Sequence, residues 1–184
     1  WEKIESKDLP ENIGKAGIAP SPAKPGRVWA IIEAASDEAG LYRSDDGGES
    51  WTNVNKSDTV IRARSWYYMH IFANPADEDM LYILNQRFSK SIDGGKSFTR
   101  VTVPHGDVHD LWLNPENPKW IINGNDGGAN VSFDAMASWS TQNNQPTAQF
   151  YRVNTDNLVP YNVYGGQQDN TSLAVSSRGY DGSI

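Results

Sequence analysis

The segment His105-Gly106-Asp107-Val108-His109-Asp110 gathers two imidazoles and two carboxylates within six residues. In an extended strand, a period of two would point His105, Asp107 and His109 the same way, a donor set that some divalent metals accept. Contact with a ligand, or hydrogen bonding between neighbouring loops, uses the same side chains equally well, so three readings stand. Gly124-Asn125-Asp126-Gly127-Gly128 and Gly165-Gly166-Gln167-Gln168-Asp169-Asn170 add amides beside carboxylates. Hydroxyl-rich ligands need such paired donors and acceptors together with a flat apolar surface, which Trp66, Tyr67 and Tyr68 offer unless they pack between sheets instead. The glycines around Asn125 and Asp126 also fit a plain tight turn whose Asp caps backbone N–H groups. Asp107, Asp126 and Asp169 are the candidate acids for hydrolytic chemistry. Arg62 and Arg64 suit either a bidentate anion or a partner among the chain's own acids.

A repeated turn sets the scaffold that must hold these residues. Ser44-Asp45-Asp46-Gly47-Gly48-Glu49-Ser50-Trp51 recurs 47 positions later as Ser91-Ile92-Asp93-Gly94-Gly95-Lys96-Ser97-Phe98. It recurs again after a further 41 as Ser132-Phe133-Asp134-Ala135-Met136-Ala137-Ser138-Trp139, without its glycines. Between extended runs such a segment makes a tight hairpin. The glycines take positive φ, the Asp accepts turn N–H groups, and the aromatic folds back over the turn. Trp1-Glu2-Lys3-Ile4 matches the run that closes the first two turns, Trp51-Thr52-Asn53-Val54 and Phe98-Thr99-Arg100-Val101, so Trp1 reads as the closing aromatic of an earlier copy.

Proline turns repeat in step, with Pro22, Pro75 and Pro115 each six residues before an apolar position, Val28, Leu81 and Ile121. Short β-rich runs and a period near 40 to 50 residues predict an all-β β-propeller segment built of four-stranded antiparallel blades. An immunoglobulin-like sandwich has no need of a repeated turn. The expected division is the end of a preceding blade over 1–12, blades over 13–56, 57–104 and 105–144, and an incomplete blade over 145–184. Remaining blades are expected from a longer chain or from further copies.

Connections in a four-stranded meander alternate between two ends, so the Ser-x-Asp turns and the proline turns share one face. The other face collects the loops entering each blade, at 62–67 and 105–110, and the loops between second and third strands, at 33–36, 85–87, 124–128 and 165–170. Every candidate named above falls there, apart from Tyr68, one residue past the first of these loops. The net charge of −7 disfavours nucleic acid or an anionic membrane as partner, since both demand a basic surface. No run approaches the roughly 18 apolar residues of a membrane span. With no cysteine there is no thiol chemistry, and no cofactor is expected beyond the candidate metal ligands His105, Asp107 and His109.

The repeated turn resembles the Asp-box, or bacterial neuraminidase repeat, of sialidases, xyloglucan-cleaving endoglucanases and sortilin. In this sequence the structural Asp-box residues are Ser44, Asp46, Gly47 and Trp51; Ser91, Asp93, Gly94 and Phe98; and Ser132, Asp134 and Trp139. Together with Trp66-Tyr67-Tyr68-x-His70, His105-Gly106-Asp107-x-His109-Asp110-Leu111-Trp112 and Gly166-Gln167-Gln168-Asp169-Asn170, they resemble secreted bacterial sortilin-like or "glycosyl hydrolase" repeat proteins. That resemblance implies an extracellular, periplasmic or cell-surface location and Asp-boxes remote from the active face. It also implies a glycan or peptide ligand bound by His105, Asp107, His109, Asn125, Asp126, Gln167, Gln168, Asp169, Trp66 and Tyr67. The Arg triad and Tyr/Glu pair of sialidases are missing. A glycosidase mechanism would need two carboxylates about 5 Å or roughly 6.5–9.5 Å apart. Ligand binding, glycoside hydrolysis and a structural role in a larger surface protein therefore all remain as expectations.

Overall fold

The computed structural model describes residues 4–35, 37–145 and 147–179. Trp1, Ser36 and Pro146 lie outside them. Fourteen strands among the described residues form four antiparallel meanders. The first contains β1 (Ala16–Pro20), β2 (Val28–Ile32), β3 (Gly40–Ser44) and β4 (Thr52–Asn55). The second contains β5 (His70–Ala73), β6 (Leu81–Leu84), β7 (Phe88–Ser91) and β8 (Thr99–Val101). The third has β9 (Val108–Leu113), β10 (Ile121–Asn125) and β11 (Gly128–Ser132); the fourth has β12 (Phe150–Thr155), β13 (Asn162–Gln167) and β14 (Ser172–Ser176). A 3-10 turn spans Val60–Arg62. The chain is therefore all-β and blade-built, as the repeat predicts, although the blades do not close into a ring.

Central strands read as continuous apolar runs because both of their faces are covered. In β2, Trp29 and Ile31 point forward to the second sheet, while Ala30 and Ile32 point back toward Leu9 and Trp51. The first junction packs Trp29, Ile31 and Leu41 against Ile61, Met69, Ile71, Leu81 and Ile83. The second packs Tyr82, Leu84 and Phe88 against Val108, Leu111 and Ile121. Burying each of these large side chains contributes about 1.5–3 kcal/mol before entropy is counted. The approach is close: a Cβ at Gly17 of β1 would stand 1.7 Å from the Met69 carbonyl oxygen.

The Asp-box turns are clasps made from their own residues. In the first, the Ser44 hydroxyl donates to Asp46 Oδ1 at 2.7 Å and accepts Gly48 N–H at 2.8 Å. Asp46 also accepts Ser50 N–H at 2.9 Å and the Ser50 hydroxyl. Ser91, Asp93 and Ser97 repeat this at 2.8, 2.9 and 2.6 Å, and Ser132, Asp134 and Ser138 at 2.9, 2.9 and 2.6 Å. The glycine pairs sit at φ 79° and 103° and at 69° and 80°, and Ala135 and Met136 hold the same region at 58° and 76°. Each clasp docks on its own proline turn, through Gly47 N–H to Gly26 O, Gly94 N–H to Asp79 O and Ala135 N–H to Lys119 O, at 2.8, 2.9 and 3.0 Å. Both turn types thus share one face. There the buried Arg27 reaches Asp45 at 2.6 Å and Asp79 of the second sheet at 2.8 Å. Burial opposes the charge, but these carboxylates prevail and raise the pKa of the guanidinium.

The third sheet departs from the expected pattern, since no fourth strand forms over Trp139–Gln142. Ser140 N–H reaches Val131 O at 2.9 Å, but the Ser140 hydroxyl, not a carbonyl, accepts Val131 N–H. The Asn130 amide takes the Ser140 carbonyl. Side chains thus occupy the groups that a continuing ladder would use.

Candidate functional site

On the face opposite the clasps, neighbouring blades meet through paired loops, and the three meetings differ. At the first, Ser65 donates to Glu33 Oε1 at 2.7 Å and Lys15 Nζ to the Tyr67 carbonyl at 2.6 Å. At the second, Val108 N–H bonds to Asn85 O at 2.9 Å and Asp107 N–H to Gln86 O at 3.4 Å. The Tyr68 hydroxyl crosses the same junction to Asp107 Oδ1 at 2.6 Å. Arg64 donates to Gln86 Oε1 at 2.9 and 3.2 Å with the amide turned to accept, and stands 3.8 Å from Asp107. Arg64 and Asp107 are both held at positive φ, 53° and 51°. Non-glycine residues reach that region at a cost of order 1–3 kcal/mol, so the surrounding contacts impose the conformation.

Asp107 therefore ends the alternation that the sequence suggested. Strand β9 starts only at Val108, and His105, Asp107 and His109 do not converge. Asp107 turns to Tyr68, His105 bonds the Gly106 carbonyl, and His109 Nε2 meets Asp126 Oδ1 at 2.8 Å. Among the described residues, no three His, Cys, Asp or Glu side chains gather as a metal site would require.

Tyr68 is the residue that sequence reasoning undervalued. It is 3% exposed, and its ring lies 5.4 Å from His109 and 6.2 Å from His70. Burial and the Asp107 carboxylate push its phenol well above the usual range, so the proton stays on the tyrosine and Asp107 acts as acceptor. Burial likewise lowers the pKa of His70, keeping that ring neutral. The aromatic platform is Trp66 and Tyr67, 71% and 50% exposed with centroids 5.7 Å apart. Tyr67 meets His109 edge-on at 6.0 Å, so platform, imidazole and Asp126 form a continuous line.

The third junction is open. A cleft of about 320 Å³ separates Asn125, Asp126, Gly127 and Gly128 of the third sheet from Gln149, Gln167, Gln168 and Asn170 of the fourth. A neighbouring cavity of about 420 Å³ shares Gly127, Gln167 and Asn170. Asn125 directs its amide inward: it donates to Asn123 and Asn130 and accepts from Gly127 N–H and Gln142. Asp126 and the Gln167–Gln168 amides line the cleft itself, whereas Asp169, at φ 46°, sits exposed at the tip of the β13–β14 turn. The linker is anchored where Gln145 bonds both the N–H and the carbonyl of Ala129. Gly128 permits this at φ 128°, because a Cβ there would lie 2.3 Å from the Gln145 oxygen.

Clasped hairpins, four-stranded meanders stacked face to face and a loop-built polar face together define an Asp-box β-propeller segment. The chain belongs to the Sortilin-Vps10 family, described as sortilin, neurotensin receptor 3, whose model matches residues 39–180. No curated protein matches it. Its fold is similar to the GH74 enzyme of Niastella koreensis, with a TM-score of 0.54 and 12% identity over 87% of this chain and 28% of that one. It is also similar to the GH74 xyloglucanase of Xanthomonas campestris, with a TM-score of 0.53 and 16% identity over 85% and 27%. At these identities the likeness is one of fold, and the chain spans little more than a quarter of either enzyme. No helix among the described residues is long and apolar enough to cross a membrane.

Proposed function

We propose that the chain is an extracellular propeller module that binds a glycan or peptide through the face opposite its Asp-boxes. One observation carries this reading: the loops that bond each other at two junctions stand apart at the third, leaving amides and Asp126 facing open space, with the exposed Trp66–Tyr67 platform linked to Asp126 through His109. The remaining blades come from a longer chain or from further copies. Screening the chain against a glycan array and a peptide library tests the proposal. Gln168→Ala should weaken the selected ligand about tenfold, the worth of one good hydrogen bond. An absence of binding in both screens by the folded chain would overturn it.

A second reading, part of a glycoside hydrolase, is favoured by Asp126 in the cleft wall with Asp107 next to it, whose carbonyl accepts Asp126 N–H at 3.3 Å. The xyloglucanase among the similar folds makes xyloglucan the first substrate to assay. Both carboxylates already accept hydrogen bonds from protein donors, which suits anchoring better than proton donation. Reducing-sugar release lost in Asp126→Asn would favour hydrolysis. The third reading, an assembly module of a surface protein, would be favoured by defined oligomers in the absence of ligand.

A further inference from the structure

The open junction is a complete pair of faces held apart. Aligned on their cross-strand partners, Ala19 and Trp29 of the first sheet correspond to Phe72 and Tyr82 of the second and to Trp112 and Ile122 of the third. The first two pairs are covered by the next blade, while Trp112 and Ile122 remain 50% and 41% exposed. In the fourth sheet, Thr155, Val163 and Val175 form one cross-strand row and Val153, Gly165 and Leu173 the next, on the same face. Val153, Leu173 and Val175 are 58%, 45% and 58% exposed. This face is register-equivalent to the Ala73–Leu81 and Leu113–Ile121 pairs, which face the preceding blade. Leu173 of this second face also lines the cavity that adjoins the cleft, and among the described residues the loop-to-loop hydrogen bonds of the other junctions have no counterpart there.

Chemistry narrows the choice of what fits between them. Among the described residues, Asp126 is the only charged one lining the cleft, and His109 already pairs with it. No described cation lines the wall to receive a sulfate, phosphate or uronate. Gln149, Gln167, Gln168 and Asn170 offer donors and acceptors together, the pattern that hydroxyl groups satisfy and a hydrocarbon does not.

We propose that this cleft takes a neutral, hydroxyl-rich ligand whose hydroxyls stand in for the missing loop-to-loop bonds, drawing the Val153–Val163–Val175 face onto Trp112 and Ile122. The proposal rests on the binding reading above and adds the ligand's charge class and its action as a stitch between two blades. Unmatched apolar surface on both sides supplies the drive to close, and the Gln145 anchor at Ala129 supplies the pivot.

The test titrates the chain with neutral gluco-, manno- and xylo-oligosaccharides, with oligogalacturonate of matched length, and with a peptide library, monitoring hydrogen exchange in 108–125 and 150–176. A neutral oligosaccharide should bind, slow exchange in both segments at least tenfold, and lose about tenfold affinity in Gln168→Ala but none in Phe133→Ala on the Asp-box face. Equal or tighter binding of oligogalacturonate overturns the charge assignment. Binding without new protection, or protection already complete without ligand, overturns the stitch. Peptide binding alone overturns this inference while leaving the broader reading intact, and binding of nothing overturns both.

Discussion

Across the first junction Glu33 accepts from Ser65, and across the second Asn85 and Gln86 accept from the backbone of the next blade; at the third, Asp126 and Gln149 face each other across a cleft. The repeats share their clasps, so the difference does not lie in the turns. It lies in what the loop backbones meet. The Asn85 side chain bonds the 3-10 turn of its own blade and its counterpart Asn125 an Asn123–Asn130–Gln142 cluster of its own, but the Asn85 and Gln86 carbonyls receive N–H groups of the next blade and no described N–H of the fourth sheet reaches 125–128. An array stabilised by nearest-neighbour contacts can thus open one joint without loosening the others.

The contrast between junctions is most open to attack in the cores. Ile31→Ala at the first junction should cost about 2–5 kcal/mol in urea denaturation, whereas Ile122→Ala at the third should cost less than about 1 kcal/mol. Equal costs would mean that the third junction is as closed as the first. Tyr68→Phe removes the hydroxyl that crosses the second junction, and a loss of about 1–2 kcal/mol in thermal unfolding is expected. Unchanged stability would assign that junction to its backbone bonds alone.

Smaller effects separate the clasps from the junctions. Ala135→Gly relieves a left-handed alanine in the third clasp and should stabilise the chain by up to about 1 kcal/mol; a fall in the melting temperature would show that the alanine contributes more than its strain costs. Ser97 and Ser138 hydrogen bonds hold Asp93 and Asp134 at about 2, and Ser50 holds Asp46 lower still. Each pKa is depressed in the folded state, so the contribution is fully present above the unfolded carboxylate value of about 4 and fades as pH falls through about 2. Acid titration of Asp93→Asn should therefore converge on the parent at low pH and fall below it at neutral pH. A constant gap between the two would refute that linkage.

The scaffold was legible because it repeats: Ser44, Ser91 and Ser132 fix the hairpins, and β3, β7 and β11 each end on that serine. The loss of the fourth strand in the third sheet was not, because nothing local reveals that the Ser140 hydroxyl and the Asn130 amide would intercept the ladder. His105, Asp107 and His109 looked alike in an extended reading, and the positive φ of Asp107, set by Tyr68 and Arg64 from another blade, separates them. Tyr68 and Tyr67 are adjacent and chemically equivalent on paper, yet one is buried and the other exposed. Only packing across the junction distinguishes them.

The clasp hydrogen bonds span no more than four residues, and the third copy keeps all of them without a glycine. So short a loop closes with little entropy loss, and each hairpin can form before any blade has a neighbour to lean on. A gene encoding such units can grow or shrink by whole copies, because every copy carries its own clasp. What duplication cannot copy is the junction, which must be reinvented each time two unlike loops become neighbours.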